Sequence, residues 1–296
     1  MNRDITRGTI EMSAAMLISG TIGWFVVISG QPVFNVVFWR CLFAVFALLA
    51  VCGLLGLLKP ITWKVLGLTV FGGVAIVLNW VCLFAAYADT SISLATIIYN
   101  TQPFMLLVLG GLFLGERVTA TKLGWLAISF AGMLLIVLTP DGQSASRNFL
   151  LGIGLSLTAA FLYAIATLIT KRLKGTPPHL IALIQVATGM VMLAPLADFS
   201  VLPVSIIQWL SLVTIGVVHT GLMYYLLYGA IQKLPTHIIG ALSFIYPAVA
   251  VLVDIMAFGH VLRPVQFLGG ALILLAAAAS TLGWSFSRAR RVTETG

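Results

Sequence analysis

Ten long apolar runs, each close to the thickness of a bilayer's hydrocarbon core, leave this chain few ways to fold. A helix rises about 1.5 Å per residue, so roughly 20 apolar residues cross a core of roughly 30 Å. Inside lipid no water meets the backbone's polar groups, so each run must satisfy them within itself, as a helix. The predicted spans are 9–29, 33–58, 65–88, 91–115, 120–139, 149–171, 179–198, 206–230, 237–258 and 264–286. Turn-forming sequences separate them: Gly30-Gln31-Pro32, Lys59-Pro60, Pro140-Asp141-Gly142, Thr176-Pro177-Pro178 and Lys233-Leu234-Pro235. The fold class is therefore an all-α polytopic membrane protein. Composition agrees: 8% of residues are charged, against about 25% in soluble domains, and mean hydropathy is +1.11. Arg3 and Arg7 precede a first run long enough to span, with no Ala-x-Ala-like cleavage site after it. That run reads as a retained helix.

The net charge of +8 belongs to loops on one membrane face and not to a nucleic-acid surface. With the N-terminus inside, the inner segments hold Arg3, Arg7, Lys59, Lys64, Arg117, Lys122, Lys171, Arg172, Lys174, Lys233, Arg288, Arg290 and Arg291. The outer loops hold Arg147 and Arg263, together with Asp89, Asp141 and Asp198. Lys and Arg collect on the cytoplasmic side, so both termini are expected there.

A shift of 144 residues aligns the two halves: Gly72 meets Gly216, Ala86 meets Ala230, Pro103 meets Pro247 and Gly115 meets Gly259. Each proline sits mid-span, twelve residues before its glycine. Ten spans in two halves means five per half, and an odd unit makes the second enter from the opposite side. The expected architecture is ten transmembrane helices as two inverted five-helix repeats, 1–140 and 148–287, with a basic cytoplasmic tail at 288–296. Inverted repeats of this kind build carriers with a midplane site.

The frame resembles the EamA family of the drug/metabolite transporter superfamily over nearly its whole length. The residues that carry the resemblance are Phe38-Trp39-Arg40 in the second span and Pro103 followed by Leu114-Gly115-Glu116-Arg117-Val118-Thr119. Gly124 through Gly132 follow in the fifth. The second copy keeps Pro247, Gly259 and Gly269-Gly270. It has His260 where the family usually has Glu, and Gln185 where Arg40 would repeat. The resemblance implies a carrier in a bacterial inner membrane that exports amino acids, metabolites or organic cations. Within the family, the chain looks most like the bacterial YddG-type amino-acid exporters. It also implies a cavity lined by spans 1, 3, 4, 6, 8 and 9.

Polar residues at membrane depth are costly unless paired or wetted, which makes each a candidate for function. Arg40 is either a structural cation, paired with a carbonyl or with Asp254, or a substrate contact. His219 is a cavity residue, a proton carrier or a neutral interhelical hydrogen-bonding group. Asn79, Thr96, Tyr99, Asn100 and Gln102 gather at mid-depth, and Ser243 and Tyr246 hold the equivalent place in the second half. Pro103 and Pro247 each free a carbonyl one turn earlier, so both are expected as hinges beside a wet cavity. Trp24 and Tyr163, mid-span in the first helix of each half, offer aromatic faces, as do Tyr224 and Tyr225. The expected substrate-binding set is Trp24, Asn79, Tyr99, Gln102, Tyr163, His219, Ser243 and Tyr246. Trp39, Trp63, Trp80, Trp209 and Trp284 read as interface anchors.

Enzyme signatures are missing: no His-Glu-x-x-His, no Gly-x-Ser-x-Gly and no phosphate-binding Gly-x-x-x-x-Gly-Lys-Ser/Thr sequence. Cys41, Cys52 and Cys82 have no metal or redox spacing, and the four histidines scatter in depth. No cofactor or metal is implied. The expected partners are a small-molecule substrate, most plausibly an amino acid, and the lipid bilayer. The Ala/Leu/Gly-rich fifth and tenth spans offer a homodimer seam. The competing readings are an exporter of organic cations, which acidic cavity residues would favour, and a membrane scaffold that transports nothing.

Overall fold

Apolar runs in lipid must close their own hydrogen bonds, and the computed structural model of the chain is built from helices. It describes residues 3–114, 119–137, 147–173, 175–234, 238, 242–260 and 262–284. The helices are α1 (Arg3–Ile28), α2 (Val33–Leu54), α3 (Trp63–Asp89), α4 (Ile92–Tyr99), α5 (Gln102–Leu114) and α6 (Ala120–Val137). They continue as α7 (Arg147–Arg172), α8 (Pro178–Leu193), α9 (Ile206–Gly216), a π-helical turn (Val217–Leu222), α10 (Met223–Lys233), α11 (Ile245–Phe258) and α12 (Pro264–Leu282). Among the described residues, 7 continuous helical stretches are long and apolar enough to cross a membrane, and Ala120–Ile136, Pro178–Leu193 and Ile245–Phe258 are shorter apolar helices. The Glu116-Arg117 pair, the turn at 140–142 and the tail at 288–296 lie outside the described residues.

Local chemistry sets the helix ends. Thr62, Ser91 and Ser205 each accept a hydrogen bond from a backbone N–H three residues on, at Val65, Leu94 and Gln208. Gly259 and Gly283 take left-handed φ values of 68° and 74° and stop α11 and α12. The second span ends at Leu54, short of the expected 58. Leu57 N–H bonds the Cys52 carbonyl and Gly56 N–H the Gly53 carbonyl, with Gly56 at φ 62°. That is a Schellman cap, which a hydropathy reading passes over. α1 in turn starts at Arg3, earlier than expected. Arg7 and Lys233 both bond Glu11, at 2.9 and 2.6 Å, which ties the first turns of α1 to the end of α10.

Helix pairing follows a matched pattern. α3 lies along α7, and α1 lies along α9 and α10. α3 packs on α8, while α2 packs on α9 and the π turn. α7 holds α4 and α5, and α1 holds α11. Two pairings match themselves, α2 with α8 and α6 with α12. Small residues let these helices approach. A Cβ on Gly132 would stand 2.5 Å from the Gly269 carbonyl oxygen, and one on Gly269 equally close to that of Gly132. α6 and α12 thus touch backbone to backbone, and these glycines serve a seam within the chain. A Cβ on Gly189 of α8 would stand 2.6 Å from both Cys41 Sγ and Val77 of the neighbouring helices.

Gly132→Ala is expected to lower the melting temperature of the detergent-solubilised protein, because overpacking costs about 1–3 kcal/mol. Gly154→Ala, where a Cβ meets nothing within 4 Å, is expected to leave it unchanged. Equal melting of the two variants would contradict the backbone contact.

Candidate functional site

Three irregularities interrupt the helices. Pro103 lacks an N–H and its ring crowds the carbonyl four residues back, and the fourth span splits there into α4 and α5. At the break, Asn100 N–H bonds the Thr96 and Ile97 carbonyls, and Thr101 N–H the Ile98 carbonyl. Pro247 is buried in the first turn of α11, just after a turn at Phe244. The third is the π turn, which sequence reading did not anticipate. His219 Nδ1 lies 3.2 Å from the Thr214 carbonyl and Thr220 Oγ1 donates to the Ile215 carbonyl at 3.1 Å, both five residues back. Irregular backbone at membrane depth is tolerated only inside protein or beside a cavity, and π turns concentrate at functional sites.

The π turn sends consecutive side chains to different helices. His219 Nε2 lies 2.9 Å from Thr21 Oγ1 of α1, and its ring meets Phe25 edge-on at 5.0 Å. Thr220 turns to α2, where its hydroxyl accepts a 3.0 Å hydrogen bond from Arg40 Nε. Arg40 is 2% exposed. Its guanidinium carbon stands 3.7 Å from the centre of the Trp80 ring and 5.7 Å from that of Phe84. Tyr87, Tyr99, Tyr224 and Tyr246 lie within electrostatic range of it. Among the described residues no carboxylate comes within ion-pairing distance of Arg40.

One residue before Trp80, Asn79 faces the other half of the chain. Its Nδ2 donates to the Ala159 carbonyl of α7 at 2.6 Å and to the Tyr99 hydroxyl at 3.3 Å. A carbonyl only accepts, so the amide orientation is settled, and Asn79 Oδ1 is left without a hydrogen-bond partner among the described residues. Tyr99 meets Tyr163 of α7 edge-on at 5.9 Å. The Tyr87 and Tyr246 hydroxyls are directed at Thr96, whose own Oγ1 closes no hydrogen bond of ordinary geometry. Gln102 Oε1, at the helix break, is also unpartnered. Buried polar atoms are nearly always satisfied by protein or water. A cluster of unsatisfied ones marks a place where water or a solute completes the bonding.

Several candidates stand elsewhere. Ile10, Leu17 and Trp24 recur every seven residues as one exposed stripe of α1, with Trp24 40% exposed. Met12, Ala15 and Val26 form the opposite, buried stripe. Trp24 stands on that exposed stripe, its ring 5.1 Å from that of Phe25. Tyr225 is exposed and lies beside His179. Ser243 precedes the turn at Phe244. Arg40 and Asp254 do not pair. The buried Asp254 accepts from Ser93 N–H of α4 through Oδ2 and bonds His260 Nδ1 through Oδ1, both at 2.9 Å. The first turn of α4 exposes N–H groups that suit a carboxylate better than a desolvated guanidinium elsewhere. Trp80 is no interface anchor, since it is 6% exposed beneath Arg40. Sequence reading missed Trp80, Thr220 and Thr21 as site residues. Only the pairing of a buried Arg with an aromatic face gives a signal for the first. A separate apolar pocket of about 250 Å³ lies between α5, α6 and α7, lined by residues such as Phe104, Val108, Phe130 and Phe161. Val108, Phe130 and Phe161 are exposed, so it opens at the protein surface.

A buried polar cluster at helix breaks in an all-helical membrane protein defines the class of a solute carrier. The EamA-like transporter family profile matches the chain twice, over residues 6–138 and 150–282. The chain belongs to that family, within the drug/metabolite transporter superfamily. It is 32% identical over 256 residues to a Bacillus subtilis (strain 168) protein described as uncharacterized transporter YxxF, covering 84% of this chain and 81% of that one. It is 26% identical to a probable amino-acid metabolite efflux pump of Escherichia coli (strain K12), covering 67% and 70%. A crystal structure with 19% sequence identity shares the fold, with a TM-score of 0.67 over 98% of this chain and 99% of the other.

Thr220→Val removes the acceptor of a buried guanidinium N–H. Hydrogen bonds to charged groups contribute about 1.5–3 kcal/mol, so this variant is expected to melt well below wild type, while Thr220→Ser stays close to it. Equal melting of Val and Ser would contradict the Arg40–Thr220 bond.

Proposed function

We propose that this chain exports a small amphipathic metabolite, an amino acid, across a bacterial inner membrane. Two inverted five-helix units, 1–140 and 148–287, rock about a midplane cavity between α1, α3, α4, α7, the π turn and α11. Both termini stand in the cytoplasm, as the cation asymmetry of the loops requires. The observation that carries this reading is the buried set of Asn79, Thr96, Tyr99 and Arg40, with unsatisfied polar atoms, beside helix breaks on α4 and in the π turn. The matched pairing supports the repeats: exchanging α1 with α7, α2 with α8, α3 with α9–α10, α4–α5 with α11 and α6 with α12 returns the main helix pairings. The twofold match of the family profile agrees. The breaks at Pro103 and Pro247 supply hinges that leave the α6–α12 seam in place. The description of the Escherichia coli relative favours amino-acid metabolites. An exporter of organic cations fits less well, because a buried cation faces the cluster and the buried Asp254 is engaged by Ser93 and His260.

Efflux of labelled amino acids from proteoliposomes tests the reading. Wild type is expected to release at least one amino acid faster than protein-free vesicles. Asn79→Ala, Tyr99→Ala and His219→Ala are expected to slow it about tenfold, the equivalent of a lost buried hydrogen bond of about 1.4 kcal/mol. Trp24→Ala is expected to transport normally. Full activity in the first three variants would place the site elsewhere. An inserted protein that releases none of the amino acids would be a scaffold.

A further inference from the structure

The Arg40 guanidinium is only partly engaged by the protein. Trp80 covers one face of its plane and Thr220 takes the Nε edge. Both partners are neutral. Charges buried in protein are paired or coordinated as a rule, because desolvation without a counter-charge is expensive. The fork made by Nη1 and Nη2 is the geometry that grips a carboxylate through two parallel hydrogen bonds. The stacked Trp80 ring holds that fork in a fixed plane.

A second orphan of opposite character accompanies it. Asn79 directly precedes Trp80, Arg40's platform, in sequence, and its Oδ1 is a buried acceptor without a donor among the described residues. The amide cannot flip to relieve this, since Nδ2 is held by the Ala159 carbonyl. Tyr99 bonds Asn79 on one side and lies within electrostatic range of Arg40 on the other. One end of the cluster thus lacks an anion and the other lacks a donor.

We infer that Arg40 is the carboxylate anchor of the transport site and Asn79 Oδ1 the ammonium acceptor, so that the cargo is a zwitterionic α-amino acid. The inference rests on the exporter reading given above and adds the chemical class and pose of its cargo. The carboxylate lies on the Arg40 fork, the ammonium meets Asn79, and the side chain extends along the Tyr99–Tyr163 pair. A cation lacking a carboxylate is repelled by Arg40. An acid lacking the amine leaves Asn79 Oδ1 unpaired.

The test uses full-length protein in proteoliposomes. Each of the twenty common amino acids is first tried in labelled form. For the one carried best, counterflow is then competed with its decarboxylated amine and with its des-amino acid. For phenylalanine these are phenethylamine and hydrocinnamate, and for leucine isoamylamine and isocaproate. The unlabelled amino acid is expected to compete on the order of ten- to a hundredfold better than either analogue, since each analogue forfeits hydrogen bonds to a charged group. Arg40→Gln is expected to erase the preference over the amine, and Arg40→Lys to restore part of it. Equal competition by either analogue would overturn the inference while leaving the exporter intact. So would an inserted Arg40→Gln that keeps wild-type selectivity. If Arg40→Gln does not insert, the wild-type series still decides. Transport of no amino acid would instead overturn the exporter reading itself.

Discussion

A polar group inside a bilayer has to find its partner inside the protein, or in whatever the protein admits. That constraint makes every run of this chain a helix, and it makes each departure from a helix informative. The departures are the α4/α5 break, the π turn and the turn before α11. The first two border the buried polar side chains that lack partners, and Tyr246 joins them from the first turn of α11. Elsewhere apolar faces interlock, small residues admit close backbones at Gly132 and Gly269, and several hydroxyls along the helices bond back to their own carbonyls.

The arrangement around Arg40 shows how the fold supports an otherwise unfavourable residue. A Trp face offers a desolvated cation up to about 2 kcal/mol, and the Thr220 hydroxyl adds a charge-assisted bond. Thr220 reaches Arg40 because the extra residue in the π turn lets His219 and Thr220 address α1 and α2 separately. Asp254 is supported differently, by the first turn of α4 and by His260. The two buried charges thus serve separate places. Asp254 ties α11 to α4, and Arg40 joins α2 to the π turn with its fork unused among the described residues.

The apolar helical runs and the break at Pro103 were legible because they depend on neighbours within a few residues. That Asn79 and Tyr99 lie at one depth was also legible, since depth follows from counting along each span, and the two bond each other. What sequence could not give was direction around each helix. Trp24 and Trp80 have similar character as isolated residues, yet one is exposed on α1 and the other lies buried under a guanidinium. The Arg40–Asp254 expectation failed for a related reason: two charges at similar depth need not face each other. The π turn was hidden because Val217 to Leu222 contain no proline to mark a departure from the helix.

The proposed transport site requires a wet pocket at the level of Tyr99, next to packing that is dry. In a variant with Cys41, Cys52 and Cys82 replaced, a charged, water-borne thiol reagent is expected to modify Tyr99→Cys, and a saturating amount of the transported amino acid is expected to slow it. Ile98→Cys, one residue away within the cluster of Ile97, Ile136 and Ile273, is expected to resist. An unreactive Cys at 99, or equal reaction at 98 and 99, would contradict the pocket.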